Sequence, residues 1–229
     1  MDWLQFLLSG VCHQIPERCL HYAGRPLPLC ARCLGTFLGM GMAWLGLWIM
    51  GQGRRCRLPS RRLGIVLAAL AGAWAVDGLN SFVQLANGKA VLYQPTNTLR
   101  LVTGLGLGLS LGVILYPLYH QILWRQVEER PVLEREGEIG WLFLAEAGLG
   151  AAILGWRTAP WWLWAWAGAG AVLVVLTVVN ALLLALWTHR EGLAEGWSTL
   201  LPSLGLGLAA ALVEMGALAW LRRLLTGGA

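Results

Sequence analysis

The reactive side chains of this sequence are concentrated near its start. Cys12-His13-Gln14-Ile15-Pro16-Glu17-Arg18-Cys19 is followed by His21 and then by Pro28-Leu29-Cys30-Ala31-Arg32-Cys33. Four of the five cysteines and two of the four histidines lie in this short stretch. A Cys-x-x-Cys pair with a further Cys and a His upstream suits tetrahedral zinc, because two thiolates at that spacing chelate one ion and a preceding turn supplies the remaining ligands. Cys12, Cys30 and Cys33 are the first-choice ligands, with His13 as the fourth or as the partner that orients one of them. The same Cys30 and Cys33 also suit thiol-disulfide chemistry, since a cysteine at a helix amino terminus beside Arg32 has a stabilised thiolate. A purely structural disulfide, or small buried thiols, is the third reading.

A second constellation lies further along. Asp77, Asn80, Ser81 and Gln84 fall on one helical stripe, and Asn97 and Arg100 open the next apolar run. An ionised Asp facing lipid costs several kcal/mol, so Asp77 is expected to face the interior and to find a basic partner, with Arg100 nearest. Asp77, Asn97 and Arg100 are therefore the candidate catalytic residues. Arg18, Arg32, Asp77, Asn80, Asn97 and Arg100 are the candidate ligand-binding set, whose guanidinium groups favour carboxylate or phosphate.

Such residues need helices to hold them, and composition says which kind. The chain is 57% hydrophobic and only 13% charged, with 30 glycines and 14 tryptophans in 229 residues. That profile is too apolar for a domain surrounded by water. Apolar runs near 34–51, 62–86, 98–122, 140–157, 160–188 and 198–221 approach or exceed the roughly 20 residues that cross a bilayer. The expectation is an all-α polytopic bundle of about six transmembrane helices, preceded by a short interfacial or re-entrant helix at the amino terminus. The Ala159-Pro160 break predicts a tight hairpin between the fourth and fifth spans. Residues 1–125 form a Cys/His-motif membrane domain, 126–139 a charged cytoplasmic linker and 140–229 a set of about three further spans. Met1 to Leu8 lacks the positive start and cleavage site of a secretory signal.

The net charge of +5 comes from arginines in the links rather than from a basic face, which argues against nucleic acid as a partner. Arg54, Arg55, Arg57, Arg61 and Arg62 in the first link, with Arg125, Arg130 and Arg135 in the third, place both links in the cytoplasm. The Cys/His site then lies on the outer face of the cell membrane, although Arg222 and Arg223 pull the other way, as do Arg18, Arg25 and Arg32 unless they belong to the site. Gly35 and Gly39, and Gly104, Gly108 and Gly112, form flat stripes for close helix contact. Glu146, Asn180 and Glu214 interrupt later spans, where intramembrane carboxylates are functional candidates; a Glu146 to Asn180 hydrogen bond is the purely structural alternative for two of them. His120 and His189 close their helices, where the helix dipole suits them, and Cys56 stands alone. No phosphate-cradling loop, zincin helix or nucleophile elbow occurs.

Cys12-His13-Gln14-x-Pro16-x-Arg18, Pro28-x-Cys30-Ala31-Arg32-Cys33-x-Gly35, Asp77-Gly78 and Asn97-x-x-Arg100-x-x-Thr103-Gly104 together resemble the prokaryotic membrane proteins catalogued as domain of unknown function 2085. The resemblance covers roughly the first 125 residues. The family pattern has serine where Cys19 stands and threonine where Leu34 stands, which ranks Cys19 below the other cysteines as a ligand. It implies site residues and no activity. The combined reading is a zinc-centred protein of the lipid bilayer that binds or transports a small anionic or lipid-linked molecule. A membrane thiol-disulfide oxidoreductase and a structural subunit are the alternatives, and the oligomeric state is not encoded in any of these features.

The arginine pattern makes a direct prediction: a reporter fused within residues 52–61 lies in the cytoplasm and one within 88–95 lies outside. Cytoplasmic labelling of the 87–94 segment would contradict an outward-facing site.

Overall fold

A computed structural model describes residues 3–226; Met1 and Asp2, part of the stretch read for a signal, lie outside the described residues. The chain begins with a short helix α1 (Trp3–Leu8) that buries Leu4 and Leu8. After a loop and a 3-10 turn at Pro16–Arg18, strands β1 (Cys19–Tyr22) and β2 (Arg25–Cys30) form an antiparallel hairpin with Cys19 opposite Cys30. The hairpin turns at Ala23 and Gly24, both at positive φ, as a two-residue turn requires. Pro26 and Pro28 are tolerated because a two-stranded sheet consists of edges.

Strand β2 runs straight into α2 (Ala31–Ile49), followed by β3 (Arg55–Arg57), α3 (Arg61–Asn87), α4 (Asn97–Leu123), β4 (Glu128–Pro131), α5 (Glu136–Gly155), α6 (Trp161–Trp187) and α7 (Trp197–Leu225). Ser60 and Thr96 cap α3 and α4 by accepting the Leu63 and Leu99 amides, and Gly88 ends α3 at φ 72°. The six helices from α2 to α7 are long and apolar enough to cross a membrane. Large apolar side chains such as Trp48, Leu79 and Val213 lie exposed on them, which is the surface lipid requires.

The bundle is organised around the contact between α2 and α4. A Cβ at Gly39 would sit 2.9 Å from the Leu105 carbonyl oxygen, and one at Gly112 would sit 2.8 Å from the Ala43 methyl. At Gly35, Gly104 and Gly108 it would collide with the backbone of the facing helix, at Leu101, Arg32 and Thr36. The two glycine stripes therefore mesh backbone to backbone. Helix α3 packs along α4, and α7 along α6.

One feature differs from the expectation. Helices α5 and α6 are joined by residues 156–160 but do not form a tight hairpin; each packs on α2 and α4, and α6 also on α7 and β2. The reason is that α5 buries Ile139, Leu142, Glu146 and Ile153 against α2 and α4 and turns Trp141 and Leu144 to the outer surface, where lipid rather than α6 covers them. The segment 126–139 also has structure: β4 pairs in parallel with β3, and Val132 and Leu133 are fully buried beside Ala43 and Leu47.

The last helices also hold the amino terminus. One core cluster joins Leu4, Leu8, Tyr22 and Leu29 to Ile153, Trp164, Ala165 and Met215. Trp161 donates its indole N–H to the Pro26 carbonyl at 2.9 Å.

If α2 and α4 depend on this seam, Gly108→Leu costs upward of ~3 kcal/mol, the severe end of overpacking, because backbone cannot yield. Gly41→Ala, with nothing within 4 Å of its Cβ position, changes stability by less than about 1 kcal/mol. Thermal unfolding in detergent distinguishes them, and equal effects would contradict the seam.

Candidate metal centre and polar site

The Cys12 loop is fastened from three directions. Arg222 of α7 donates to the carbonyls of Ser9 at 3.0 Å, Cys12 at 2.6 Å and His13 at 2.7 Å. Gln14, at φ 54°, donates its side-chain amide to Gln5 O at 2.8 Å and Pro28 O at 2.9 Å. That second bond joins the loop to β2, whose last residue is Cys30.

The result is a convergence of thiols. The sulfurs of Cys12, Cys30 and Cys33 all lie within 4.8 Å of one another. Cys12 Sγ accepts the Cys30 amide at 3.2 Å and the Gln14 amide at 3.5 Å, and Cys30 Sγ accepts the Cys33 amide at 3.5 Å as the cap of α2. Hydrogen bonds from the Cys12 and Cys33 thiols, aided by backbone amides at the helix start, hold Cys30 well below the ordinary thiol range. Cys12, which shares its proton with Cys30, is raised.

His13 is not part of this group among the described residues. It follows Cys12 on a loop whose carbonyls turn inward to Arg222, so its ring is exposed. Cys19 is buried and donates its thiol to Ile15 O at 3.3 Å, and burial pushes it up to about 12. His21 is exposed, with Nδ1 beside the Cys19 carbonyl.

In the first turn of α2, Arg32 forms an ion pair with fully buried Asp77 of α3. The same guanidinium nitrogen donates to Asp77 O at 3.1 Å and Ser81 Oγ at 2.9 Å. Tyr93 donates its hydroxyl to Asp77 Oδ1 at 3.0 Å, and Thr103 donates to Oδ2 at 3.3 Å. Arg32 rather than Arg100 is thus the partner of Asp77. The α2–α4 seam brings the start of α2 against the end of α3, whereas Arg100 donates to Asn97 Oδ1 on its own helix at 2.8 Å. Asn97 in turn donates to the carbonyls of Glu17 at 3.0 Å and Cys19 at 3.1 Å.

Arg18 completes the cluster by donating to the Ser81 carbonyl at 2.8 Å. Asn80 is occupied differently: its oxygen accepts the Val91 and Leu92 amides at 3.2 and 3.0 Å, and its nitrogen donates to Tyr93 O at 2.8 Å. It shapes the link that delivers Tyr93. Beside Asn97, a polar cavity of about 270 Å³ opens between β1, the start of α4 and the end of α5, lined in part by His21, Tyr22, Ile153 and Arg157.

Tyr93, Arg157 and Arg222 are the members sequence reasoning missed. Arg222 did leave a signal, since it opposed the charge pattern of the other links; its bonds to the Cys12 loop give it a local reason to lie at this end.

Asn180, Glu214, His120, His189 and Cys56 lie apart from these clusters. Asn180 donates to Glu214 Oε2 at 2.9 Å rather than bonding Glu146, because α6 packs along α7 and not α5. His120 is buried between Tyr116 and Tyr119 and shares a hydrogen bond with the Tyr116 carbonyl at 2.9 Å. His189 is exposed after α6, and Cys56 is a free, half-buried thiol in β3.

Six apolar spans carrying these clusters at one end define a polytopic membrane protein. The family described as "Predicted membrane protein (DUF2085)" matches residues 12–114, and the chain belongs to that family. It is 30% identical over 113 residues to an uncharacterized protein of Methanothermobacter thermautotrophicus, covering 49% of this chain and 91% of the relative. It is 23% identical over 123 residues to the uncharacterized protein MJ1492 of Methanocaldococcus jannaschii, covering 54% and 72%. No solved structure matches. Cys12, Cys30, Arg32, Cys33, Asp77, Asn97 and Arg100 all fall within the family match, whereas Arg157 and Arg222 fall beyond it.

Removing Arg32 leaves a carboxylate buried without its charge partner, so Arg32→Leu costs roughly 3–5 kcal/mol, and adding Asp77→Leu restores most of it. Arg100→Leu, which loses a bond to a neutral side chain, costs less. A double-mutant cycle on unfolding reads the difference; equal losses at Arg32 and Arg100 would contradict the pairing.

Proposed function

We propose that Cys12, Cys30 and Cys33 hold a metal ion, zinc by the softness of the donors, beside a polar site that binds or moves a small anionic or lipid-linked molecule across the membrane. The observation that carries this reading is the convergence of three sulfurs from two distant segments. Thiolates at the zinc bonding distance of about 2.3 Å stand about 3.8 Å apart around a tetrahedron, compatible with a set confined within 4.8 Å. Backbone amides already directed at the Cys12 and Cys30 sulfurs favour their charged forms. With no fourth His, Cys, Asp or Glu ligand grouped there among the described residues, the fourth position falls to water or to the bound molecule. A metal so placed would supply Lewis acidity to that ligand.

The charge balance supports an anion. Arg18, Arg32 and Arg100 gather around one carboxylate, Asp77, leaving guanidinium charge to be matched. Asp77 receives hydrogen bonds on both oxygens, so its part is to fix Arg32 rather than to accept a proton. Arg100, with its Nε buried and unpartnered, is the contact left for the ligand, and Asn97 holds it in place. In this reading residues 1–125 supply the site, the later helices brace it, and the arginine-rich links put it on the outer face of the cell membrane. A thiol-disulfide role for Cys30 and Cys33 has one specific observation in its favour, the Cys33 amide directed at the Cys30 sulfur at the start of α2.

Elemental analysis of purified protein separates the two: zinc is expected at about one per chain. Cys12→Ser, Cys30→Ser and Cys33→Ser each release it, while Cys19→Ser retains it. Metal-free protein with a reversible Cys30–Cys33 disulfide would sink the metal reading and promote the redox one.

A further inference from the structure

Glu146 has no part in the site described above, and its setting is unlike that of any other carboxylate in the described chain. It lies midway along α5, is 5% exposed, and neither of its oxygens has a hydrogen-bond partner. Gly39 of α2 makes room for it: a Cβ there would stand 3.2 Å from Glu146 Oε2. Asp77 is equally buried but is paired with Arg32, and Glu214 is bonded to Asn180.

The ionisable side chains on the helices packed against α5 are engaged elsewhere. On α2, Arg32 holds Asp77 and Cys33 belongs to the thiol group. On α4, Arg100 bonds Asn97, Tyr116 donates to Gly53 O, and Tyr119 and His120 pack on each other. On α5 itself, Glu138 caps the helix start through the Glu134 and Arg135 amides.

An ionised carboxylate in the middle of a membrane with neither counter-charge nor donor is strongly unfavourable. The charge can be removed by a single event, the binding of one proton to a carboxylate oxygen. We infer that Glu146 is a reversible proton-binding site at the centre of the bundle. It lies where α5 packs on the same α2–α4 pair that carries the cysteine and arginine clusters, and no counter-ion or hydrogen bond locks it in either state. Proton binding here stands independently of whether the cysteines hold metal.

Infrared spectroscopy of the intact protein in lipid vesicles tests it. Wild-type protein should show a protonated-carboxyl carbonyl band that weakens as pH rises, returns as pH falls, and is absent from Glu146→Gln. A hydrophobic carbodiimide should label Glu146, its oxygen bonding to the reagent's central carbon as its proton passes to nitrogen, with faster labelling at lower pH and none at Glu214. Should Glu146→Gln fail to fold, Glu146→Asp replaces it, and a displaced band that still titrates supports the site. A Glu146 band that does not respond to pH, or labelling confined to Glu214, would overturn it.

Discussion

The constraint on which the rest of this molecule depends is the approach of α2 to α4 at backbone distance. Side chains at Gly35, Gly104 or Gly108 would drive the two helices apart, and every functional cluster lies at or along that seam. The start of α2 contributes Cys30, Arg32 and Cys33, the start of α4 contributes Asn97, Arg100 and Thr103, and α3 presents Asp77 where both can reach it. In lipid no hydrophobic gain holds two apolar helices together, so close packing and buried polar bonds must do it. Here the glycines provide the packing and Arg32 with Asp77 the polar bond.

The amino-terminal segment illustrates how a non-helical stretch is tolerated at one end of such a bundle. Backbone groups outside a helix need partners near a membrane, and the Cys12 loop takes them from Arg222 and Gln14. Both fastenings act on the same few residues as the thiols. A metal among the thiols would therefore couple the loop, the β1–β2 hairpin and the start of α2 into one unit. The last helix takes part in that unit although it lies outside the family match.

Much of this was legible in the sequence because it follows from length, periodicity and chain order. Six spans could be counted from apolar runs, and the co-location of the α2 start, the α3 end and the α4 start follows from each span crossing once. Partner choice was not legible. Asp77 had several arginines within plausible reach, and only the depth of the α2–α4 contact selects Arg32. Asn180 pairs with Glu214 because of which neighbour α6 packs on, a fact that no local pattern carries. The short hairpin left no strand signal, since two prolines in the six-residue β2 obscure the alternation by which strands are recognised. His13 was drawn into the ligand set by adjacency to Cys12, yet neighbouring loop residues direct their side chains apart.

The claim on which the functional account turns is that three sulfurs surround one ion and leave one position open. X-ray absorption at the zinc edge of the purified protein measures this directly. The account predicts about three sulfur neighbours near 2.3 Å and one lighter atom, oxygen or nitrogen, near 2.0–2.1 Å. A shell without sulfur, or one of four sulfurs that requires Cys19 or a second chain, would contradict it.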